Sequence, residues 1–295
     1  MPLAGRGTSY TATCGVIEGA LARLYGDGWP ARVVRRAGFQ RRVRTVRESV
    51  SAHSARPWPS GVRALRIAFG SDFHAGPTTH PRLLDLACGA LAASRPDVLL
   101  LGGDFVFLEA RHIDPLAARI AAIDAPLGRF AVLGNHDLWA DDAYIARSLE
   151  AAGVRVLVNE EVRLAPPFDH VVVSGLDEPW VGRPDPARAF RACDAVRIAL
   201  MHAPSGLVAI GDRPFDVAFC GHTHGGHIAL PGGIPIVATD PLARRHSHGR
   251  FRVGRAGVPG GEGGTLLVSR GIGGIELPFR LFADPDVIAC ELTPK

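Results

Sequence analysis

The sequence is poor in cysteine and lysine and contains no long apolar run. Its five cysteines are odd in number and widely spaced, without a C-x-x-C pair, which disfavours a disulfide framework and fits a reducing compartment. The apolar segment 12–25 is too short to span a bilayer, contains Glu18 and Arg23, and does not have the form of a signal peptide. Lysine occurs only at Lys295, so arginine carries nearly all of the positive charge. These absences predict a cytoplasmic protein.

The remaining composition is that of a globular protein. Of the 295 residues, 47% are hydrophobic and 21% are charged, which suits one large domain or two small ones. Residues 1–60 are predicted to form an N-terminal basic extension that ends in a turn-rich stretch around Pro57 and Pro59. A regular main domain is predicted for residues 61–295.

Apolar runs alternate with helix-like segments along the main domain. Runs suited to buried strands cover 64–70, 97–101, 129–133, 170–174, 196–201 and 216–220. Helical periodicity is found in 81–94, 115–123 and 142–152. This alternation predicts an α/β architecture with a largely parallel sheet, whose right-handed crossovers bring the strand ends to one edge. Residues 227–292 are rich in glycine and proline and predict antiparallel or mixed sheet, with strand candidates at 265–269 and 287–292.

Polar side chains of metal-binding types follow five of the apolar runs. Parallel strands that end together bring such groups to one edge, where open α/β sheets bind their ligands. Glycine beside each motif permits tight turns and a close approach of the backbone to an ion or a phosphate. The five segments are Ser71-Asp72-Phe73-His74, Gly102-Gly103-Asp104, Gly134-Asn135-His136-Asp137, Met201-His202-Ala203-Pro204 and Gly221-His222-Thr223-His224-Gly225-Gly226-His227.

Each of these motifs taken alone has an ordinary explanation as a polar turn or a helix cap, whereas the five together point to a metal site. No cysteine belongs to the set, which disfavours a structural zinc site. Imidazole, carboxylate and amide ligands suit Mn, Fe, Zn, Co or Ni. The seven candidate side chains exceed the needs of one ion. We therefore expect two divalent or trivalent ions that share a bridging carboxylate.

In order and spacing, the five motifs resemble those of the calcineurin-like metallophosphoesterase family, which run D-x-H, G-D, G-N-H-D/E, H and G-H-x-H. The resemblance covers roughly residues 62–292. The GHTHGG block and the later SRGIG at 269–273 are similar to the bacterial phosphodiesterase branch of the YaeI/YkuE type. The resemblance implies a four-layer αββα sandwich, with two mixed β-sheets flanked by helices. It also makes residues 61–295 a metallophosphoesterase catalytic domain.

The resemblance implies the ligands of both ions. Those of the first ion would be Asp72, His74, Asp104 and His224. Those of the second would be Asp104, Asn135, His202 and His222, with Asp104 bridging. A water between the ions would be a hydroxide near neutral pH, and the ions would cancel charge on the phosphate and set in-line attack. Asn135 and His136 are expected at the substrate, where His136 would stabilise the transition state or protonate the leaving oxygen.

One position departs from the family pattern beside the catalytic histidine. Many members carry an aspartate three residues after the bridging one, which orients that histidine, and this chain has Phe107 there. A partner for His136 would then come from Glu109 or Asp137. Loop anchoring is the favoured role for Asp137.

Other candidates for substrate contact lie in the C-terminal part. The branch commonly has glutamine after GHTHGG, where this chain has His227, and both a substrate-facing role and no role are open. Arg270 could hold a phosphate by bidentate bonds, with a structural salt bridge as the alternative. His246 and His248 lie in a basic loop, for which solvation is favoured over contact with an anionic substrate.

The positive charge is concentrated near the N-terminus. Between residues 32 and 47 the chain has seven arginines and no acidic residue, interleaved with valines and Phe39. This segment fits a solvated basic face, a surface resting on anionic lipid, or a contact with nucleic acid. Nucleic acid is disfavoured because the segment is not a basic stripe interleaved with aromatic residues.

The function expected from these observations is binuclear-metal-dependent hydrolysis of a phosphate ester, above all a phosphodiester or a pyrophosphate. The substrate would be a small molecule or lipid-linked, and the enzyme could rest peripherally on the inner face of an anionic membrane. Two alternatives remain open. One is a phosphomonoesterase or protein phosphatase. The other, which Phe107 invites, is a catalytically weak metal-binding regulatory module.

Overall fold

The computed structural model describes residues 12–52, 58–192, 194–236, 241–254 and 263–295. The helices are α1 (Ala12–Tyr25), α2 (Trp29–Arg36), α3 (Pro81–Ala93), α4 (Ile113–Ala121), α5 (Asn135–Ala140), α6 (Asp142–Ala151), α7 (Pro186–Ala189), α8 (Gly206–Ile210) and α9 (Pro241–Arg245). The strands are β1 (Arg44–Ser51), β2 (Leu65–Gly70), β3 (Val98–Leu101), β4 (Arg129–Ala131), β5 (Arg155–Val156), β6 (Glu160–Arg163), β7 (Val171–Gly175), β8 (Val196–Leu200), β9 (Val217–Cys220), β10 (Ala229–Leu230), β11 (Ile234–Pro235), β12 (Gly249–Arg252), β13 (Thr265–Val268) and β14 (Asp286–Thr293).

Two six-stranded mixed sheets form the centre of the fold. The first has the order β1-β14-β2-β3-β4-β5, in which only the β14–β2 pair is antiparallel. The second has the order β12-β13-β9-β8-β7-β6, in which the outer pairs β12–β13 and β6–β7 are antiparallel. The helices α3 and α4 connect β2 to β3 and β3 to β4, as parallel neighbours require.

The sheets pack face to face and carry helices on their outer faces. Along β3, Leu99 and Leu101 pack with residues of α3, α4 and α6, whereas Val98 and Leu100 point to the second sheet. This alternation follows the two-residue period of a strand. The outer face of the second sheet packs with residues of α7 and α8, among them Ala189 and Leu207. The predicted four-layer αββα sandwich is confirmed.

The basic N-terminal segment contributes to the first sheet. Strand β1 pairs in parallel with β14, from Arg44 opposite Asp286 to Ser51 opposite Thr293. The segment predicted as an extension over 1–60 therefore includes an edge strand of the first sheet. Residues 1–11 and 53–57, with Pro57, lie outside the described residues, as does Cys193. No described helix is long and apolar enough to cross a membrane.

The ends of the parallel strands place the predicted ligands. The strands β2, β3, β8 and β9 end two or three residues before Asp72, Asp104, His202 and His222, and α5 begins at Asn135 after β4. Because parallel strands share one direction, their carboxyl ends meet at the same edge of the sandwich. The five sequence motifs are therefore neighbours in space.

Candidate metal centre

The predicted ligands form two buried groups that share one aspartate. The donor atoms within each group lie within 4.8 Å of one another. The first group is Asp72, His74, Asp104 and His224. The second is Asp104, His202 and His222, and Oδ1 of Asn135 joins it at 3.1 Å from Nε2 of His202. The structure thus brings together all seven side chains.

The distances between donor atoms fit coordination of metal ions. Nε2 of His74 is 3.1 Å from Nε2 of His224, and Nε2 of His202 is 3.1 Å from Nδ1 of His222. Oδ2 of Asp104 is 3.5 Å from His74 and 3.4 Å from His202. Two ligand atoms that are each about 2.1 Å from one cation are about 3.0 Å apart at a right angle and about 3.4 Å apart at the tetrahedral angle. The donor set of imidazole, carboxylate and amide therefore fits the implied ions in type and in spacing.

Backbone contacts hold the ligands in these positions. Nδ1 of His202 donates to the carbonyl of Gly102 at 2.8 Å, which leaves the Nε2 lone pair free to bind a cation. Both carboxylate oxygens of Asp72 accept from the backbone N–H of His222 at 3.0 Å. These hydrogen bonds orient His202 and Asp72 toward the shared site.

Two glycines are required because the ligands touch their backbone. A Cβ atom on Gly134 would lie 2.2 Å from Oδ1 of Asp104 and 2.6 Å from Cε1 of His202. A Cβ atom on Gly221 would lie 2.1 Å from Oδ2 of Asp72. Any side chain at these positions would displace a ligand.

Most ligands adopt a left-handed backbone that non-glycine residues rarely use. The φ angles of the group are Asp72 +53°, His74 +42°, Asp104 +53°, His222 +68° and His224 +52°. Each such residue costs of order 1 kcal/mol. The concentration of strain at one site shows that the ligand positions are imposed by the surrounding fold.

The electrostatics of the site favour neutral imidazoles and bound positive charge. Burial lowers the pKa of His74 and of His224 well below the ordinary value, and burial with the nearby His202 lowers the pKa of His222 to about 3. Neutral imidazole is the form that binds metal. Burial also acts to lower the pKa of His202, but Asp104 outweighs it and raises this pKa to about 10. The carboxylates therefore favour a positive charge here, whether a proton or a metal ion.

The predicted catalytic histidine lies beside the first group. The backbone N–H of His136 donates to Oδ1 of Asp104 at 2.9 Å, and its half-buried ring is edge-on to His74 with centroids 4.9 Å apart. Phe107 and Trp139 flank the ring at centroid distances of 5.6 and 4.9 Å. The rings of Phe107 and Trp139 therefore pack against His136, whereas many members of the family orient this histidine with a carboxylate.

The two carboxylates considered as partners of His136 have other contacts. Asp137 accepts the backbone N–H groups of Gly134 at 2.9 Å and Phe105 at 2.8 Å, which fits the anchoring of the loop. Glu109 binds Arg111 at 2.8 Å on the surface.

The two predicted substrate contacts of the C-terminal part are partly engaged by the protein. Arg270 forms an ion pair with Asp286 at 3.3 Å and packs over Gly225. Nε2 of His227 donates to the carbonyl of Leu277 at 2.9 Å. Burial lowers the pKa of His227 to about 4, so this histidine is neutral near pH 7. Both side chains border the centre through the GHTHGGH segment.

Three residues near the centre escaped the sequence analysis. Nη2 of Arg280 lies 2.8 Å from Nδ1 of His224, and Trp180, 42% exposed, packs edge-on against His222 with centroids 4.6 Å apart. The buried Glu178 accepts the backbone N–H of Trp180 at 2.7 Å. Asp177, Glu178 and Trp180 follow the apolar strand β7 closely, and this pattern could have predicted that the loop lies at the site. Nothing in the sequence around Arg280 signals its contact.

A two-sheet sandwich whose strand ends converge on buried histidines and aspartates defines a metal-dependent hydrolase. The sequence profile of the calcineurin-like phosphoesterase family matches residues 65–226. The phosphodiesterase YaeI of Escherichia coli is 28% identical over 233 residues, which cover 77% of this chain and 82% of YaeI. The uncharacterized metallophosphoesterase YkuE of Bacillus subtilis is 26% identical over 235 residues, which cover 78% of this chain and 79% of YkuE.

A further relative is named for a pyrophosphatase reaction on a lipid-linked nucleotide. The UDP-2,3-diacylglucosamine pyrophosphatase LpxG of Chlamydia muridarum is 25% identical over 281 residues, with 77% of this chain and 83% of LpxG covered. The chain belongs to the calcineurin-like phosphoesterase family and is a phosphoesterase hydrolase. The predicted family and its YaeI/YkuE-type branch are confirmed.

Proposed function

We propose that this protein hydrolyses a phosphodiester or a pyrophosphate at a pair of metal ions, each divalent or trivalent. The observation that carries the proposal is the presence of two buried ligand groups that share Asp104. The first ion would be held by Asp72, His74, Asp104 and His224, and the second by Asp104, Asn135, His202 and His222. Bound there, such ions supply a nucleophile from water near neutral pH and Lewis acidity toward the phosphate oxygens.

The chain's own residues would orient the substrate and move protons. We assign His136 to contact the phosphate and to donate a proton to the leaving oxygen. Its backbone N–H bond to Asp104 fixes its distance from the ligands, and the rings of Phe107 and Trp139 restrict its rotation. Asn135 would contact the phosphate as well as an ion. Asp104 is assigned as the catalytic bridging ligand.

The substrate proposed is a small or lipid-linked phosphate ester, whose phosphate Arg270 and His227 would help to bind. The names of YaeI and LpxG support diester and pyrophosphate bonds as the class. The exposed face of Trp180 beside His222 offers an apolar wall next to the second ligand group. Peripheral contact with the inner face of an anionic membrane would bring a lipid-linked substrate to this wall.

The test uses bis-p-nitrophenyl phosphate and p-nitrophenyl phosphate with metal-stripped protein to which Mn, Fe, Zn, Co or Ni is restored. Restored diesterase activity is expected, with loss in Asp104→Asn and a decrease of about 100-fold in His136→Ala. The control is Asp85→Asn, which changes an exposed aspartate of α3. Hydrolysis of the monoester alone would replace the proposal by a phosphomonoesterase. Two bound ions without turnover of either compound would support a metal-binding module.

A further inference from the structure

A cleft lies between the basic N-terminal segment and the loop that precedes β14. Its volume is about 460 Å³, and it is lined by residues 38–42 on one side and by residues from 272–274 and 278–285 on the other. The two sides are held together by the side chain of Gln40, which donates to the carbonyls of Thr78 and Pro278. The rings of Phe39 and Phe279 add a contact with centroids 5.5 Å apart. The cleft is therefore a fixed feature of this face.

The basic side of the cleft carries more charge than the protein neutralises. Arg41 and Arg42 line it, and α2 directly before it ends in Arg35 and Arg36. Arg42 forms an ion pair with Asp284 at 2.9 Å. Within the described part of the chain, no carboxylate lies at ion-pair distance from the other three arginines. An anionic partner would complement this surface.

The opposite side of the cleft is apolar and exposed. Leu281 and Phe282 line it and are 39% and 60% exposed, and Leu277, next to the lining residue Pro278, is 46% exposed. The neighbouring hairpin of β10 and β11 adds Leu230 and Ile234 with 50% and 60% exposure. The hairpin and loop are adjacent because the backbone N–H of Ala229 donates to the carbonyl of Leu281 at 2.9 Å. Large exposed apolar side chains beside unneutralised arginines are typical of a surface that enters the headgroup region of a bilayer.

The cleft adjoins the metal centre. Arg280 lines the cleft, and its guanidinium donates to the backbone carbonyl of His224 at 3.2 Å. The backbone N–H of Leu281 donates to the carbonyl of His227 at 3.2 Å. A lipid held in the cleft would thus be separated from a predicted metal ligand by one side chain.

We propose that this face docks on an anionic phospholipid bilayer, with the arginines of residues 35–42 at the headgroups and with Leu281 and Phe282 among the acyl chains. The inference deepens the peripheral membrane contact that forms part of the proposed function. The surface defined here delivers a lipid-linked phosphate ester to the centre from the side of Arg280. Charge complementarity favours a bilayer that carries net negative charge.

Sedimentation with vesicles tests the docking surface on the full-length chain. Wild-type protein is expected to bind vesicles of phosphatidylcholine and phosphatidylglycerol and not vesicles of phosphatidylcholine alone. Each arginine removed should weaken binding about fivefold at low salt, so Arg36→Ser with Arg41→Ser should weaken it by about 25-fold. Phe282→Asn should weaken it by about tenfold, and asparagine tolerates the positive φ of this position.

Matched exposed substitutions on the flanking helices serve as controls. Arg147→Ser with Arg188→Ser removes equal charge from α6 and α7, and Val208→Asn removes an apolar side chain that is 71% exposed on α8. These variants should keep wild-type binding. Equal losses in both sets, or no vesicle binding by the wild type, would overturn the proposal. Competition by millimolar inorganic phosphate would overturn it in favour of a soluble anion site, and competition by duplex DNA in favour of a nucleic-acid surface.

The experiment separates this inference from the proposed hydrolysis. Vesicle binding is measured without substrate, so an inactive enzyme can still bind. Hydrolysis of bis-p-nitrophenyl phosphate is measured without lipid, so an active enzyme can still fail to bind. Circular dichroism of each variant shows whether the fold is retained before the binding data are interpreted.

Discussion

Nη2 of Arg280 lies 2.8 Å from Nδ1 of His224, and Arg280 also donates to the carbonyls of Gly273 and Arg270. Arg280 donates as well to the backbone carbonyl of His224 at 3.2 Å. One half-buried arginine thus ties the backbone of a predicted ligand to the loop before β14. Outer partners of this kind typically change metal affinity by 10- to 100-fold, a range of about 1.4 to 3 kcal/mol.

The first prediction concerns this contact. Arg280→Met removes every donor and should lower the affinity of the first ligand group for Mn(II) by about tenfold, because the backbone of His224 is no longer held to the loop before β14. Arg280→Gln keeps an N–H donor and should retain more affinity than Arg280→Met. Isothermal titration calorimetry of the metal-stripped proteins measures both constants. Equal affinity in the two variants and the wild type would show that the arginine does not position the ligand.

The second prediction uses the close approach at Gly134. Gly134→Ala places a methyl group against Asp104 and should abolish binding of at least one ion per chain, measured by metal analysis after dialysis. The matched control is Gly89→Ala in α3, where a Cβ atom meets nothing within 4 Å. That variant should keep full metal content and gain about 0.5–1 kcal/mol of stability. Full metal content in Gly134→Ala would contradict the observed packing.

Metal ions should stabilise the fold because they bind the assembled ligand groups of the folded chain and not the unfolded chain. Mn(II) at about 100 times its dissociation constant adds about 2.7 kcal/mol per site to the free energy of unfolding. For a chain of this size the midpoint temperature should rise by roughly 4 °C per site. Thermal denaturation followed by circular dichroism measures the shift. Asp104→Asn lacks the shared ligand, and an undiminished shift in this variant would place the ions elsewhere.

The fourth prediction concerns the pH dependence of stability through Asp97. Its side chain is 1% exposed and pairs with Arg63 at 2.6 Å and Arg66 at 2.8 Å. Burial acts to raise the pKa of Asp97, but hydrogen bonds from the two arginines outweigh it and hold the pKa well below its usual range. A lowered pKa in the folded state gives stability that is complete above the unfolded pKa of about 3.9 and is lost as the pH falls below it.

Asp97→Asn should therefore lower the free energy of unfolding by about 2 kcal/mol near pH 7, with a smaller difference from wild type below about pH 4. Urea denaturation at several pH values measures it. The control Asp85→Asn breaks an ion pair with Arg119 in which the aspartate side chain is 55% exposed, and should cost less than about 1 kcal/mol. A pH-independent difference for Asp97→Asn would show that packing, not charge, is lost.

The convergence of the seven candidate ligands could be predicted from the sequence because each follows an apolar strand. The runs before Asp72, Asp104 and His202 signal buried strands by hydrophobicity alone, and parallel strands must end at a common edge. The pairing of both sheets also follows from this pattern for the central strands. For these strands, the local hydrophobicity and the parallel topology predict the same positions for the candidate ligands.

Other parts could not be predicted because their partners are distant in sequence. Strand β1 alternates arginine, serine and valine at a half-exposed edge and has no continuous apolar run. Its identity as a strand depends on β14, more than 200 residues away. Likewise Arg280 reaches His224 across 56 residues, and no local pattern encodes that contact.

The place of β14 has a consequence for biosynthesis. This strand lies between β1 and β2, so residues from opposite ends of the sequence must meet to complete the first sheet. During translation β2 and β3 emerge early, yet β2 keeps an unpaired edge until residues 286–293 have left the ribosome. Unpaired edges are exposed to aggregation. We therefore expect the β2 edge of the nascent chain to need protection, by a chaperone or by transient pairing with β1, until β14 has emerged.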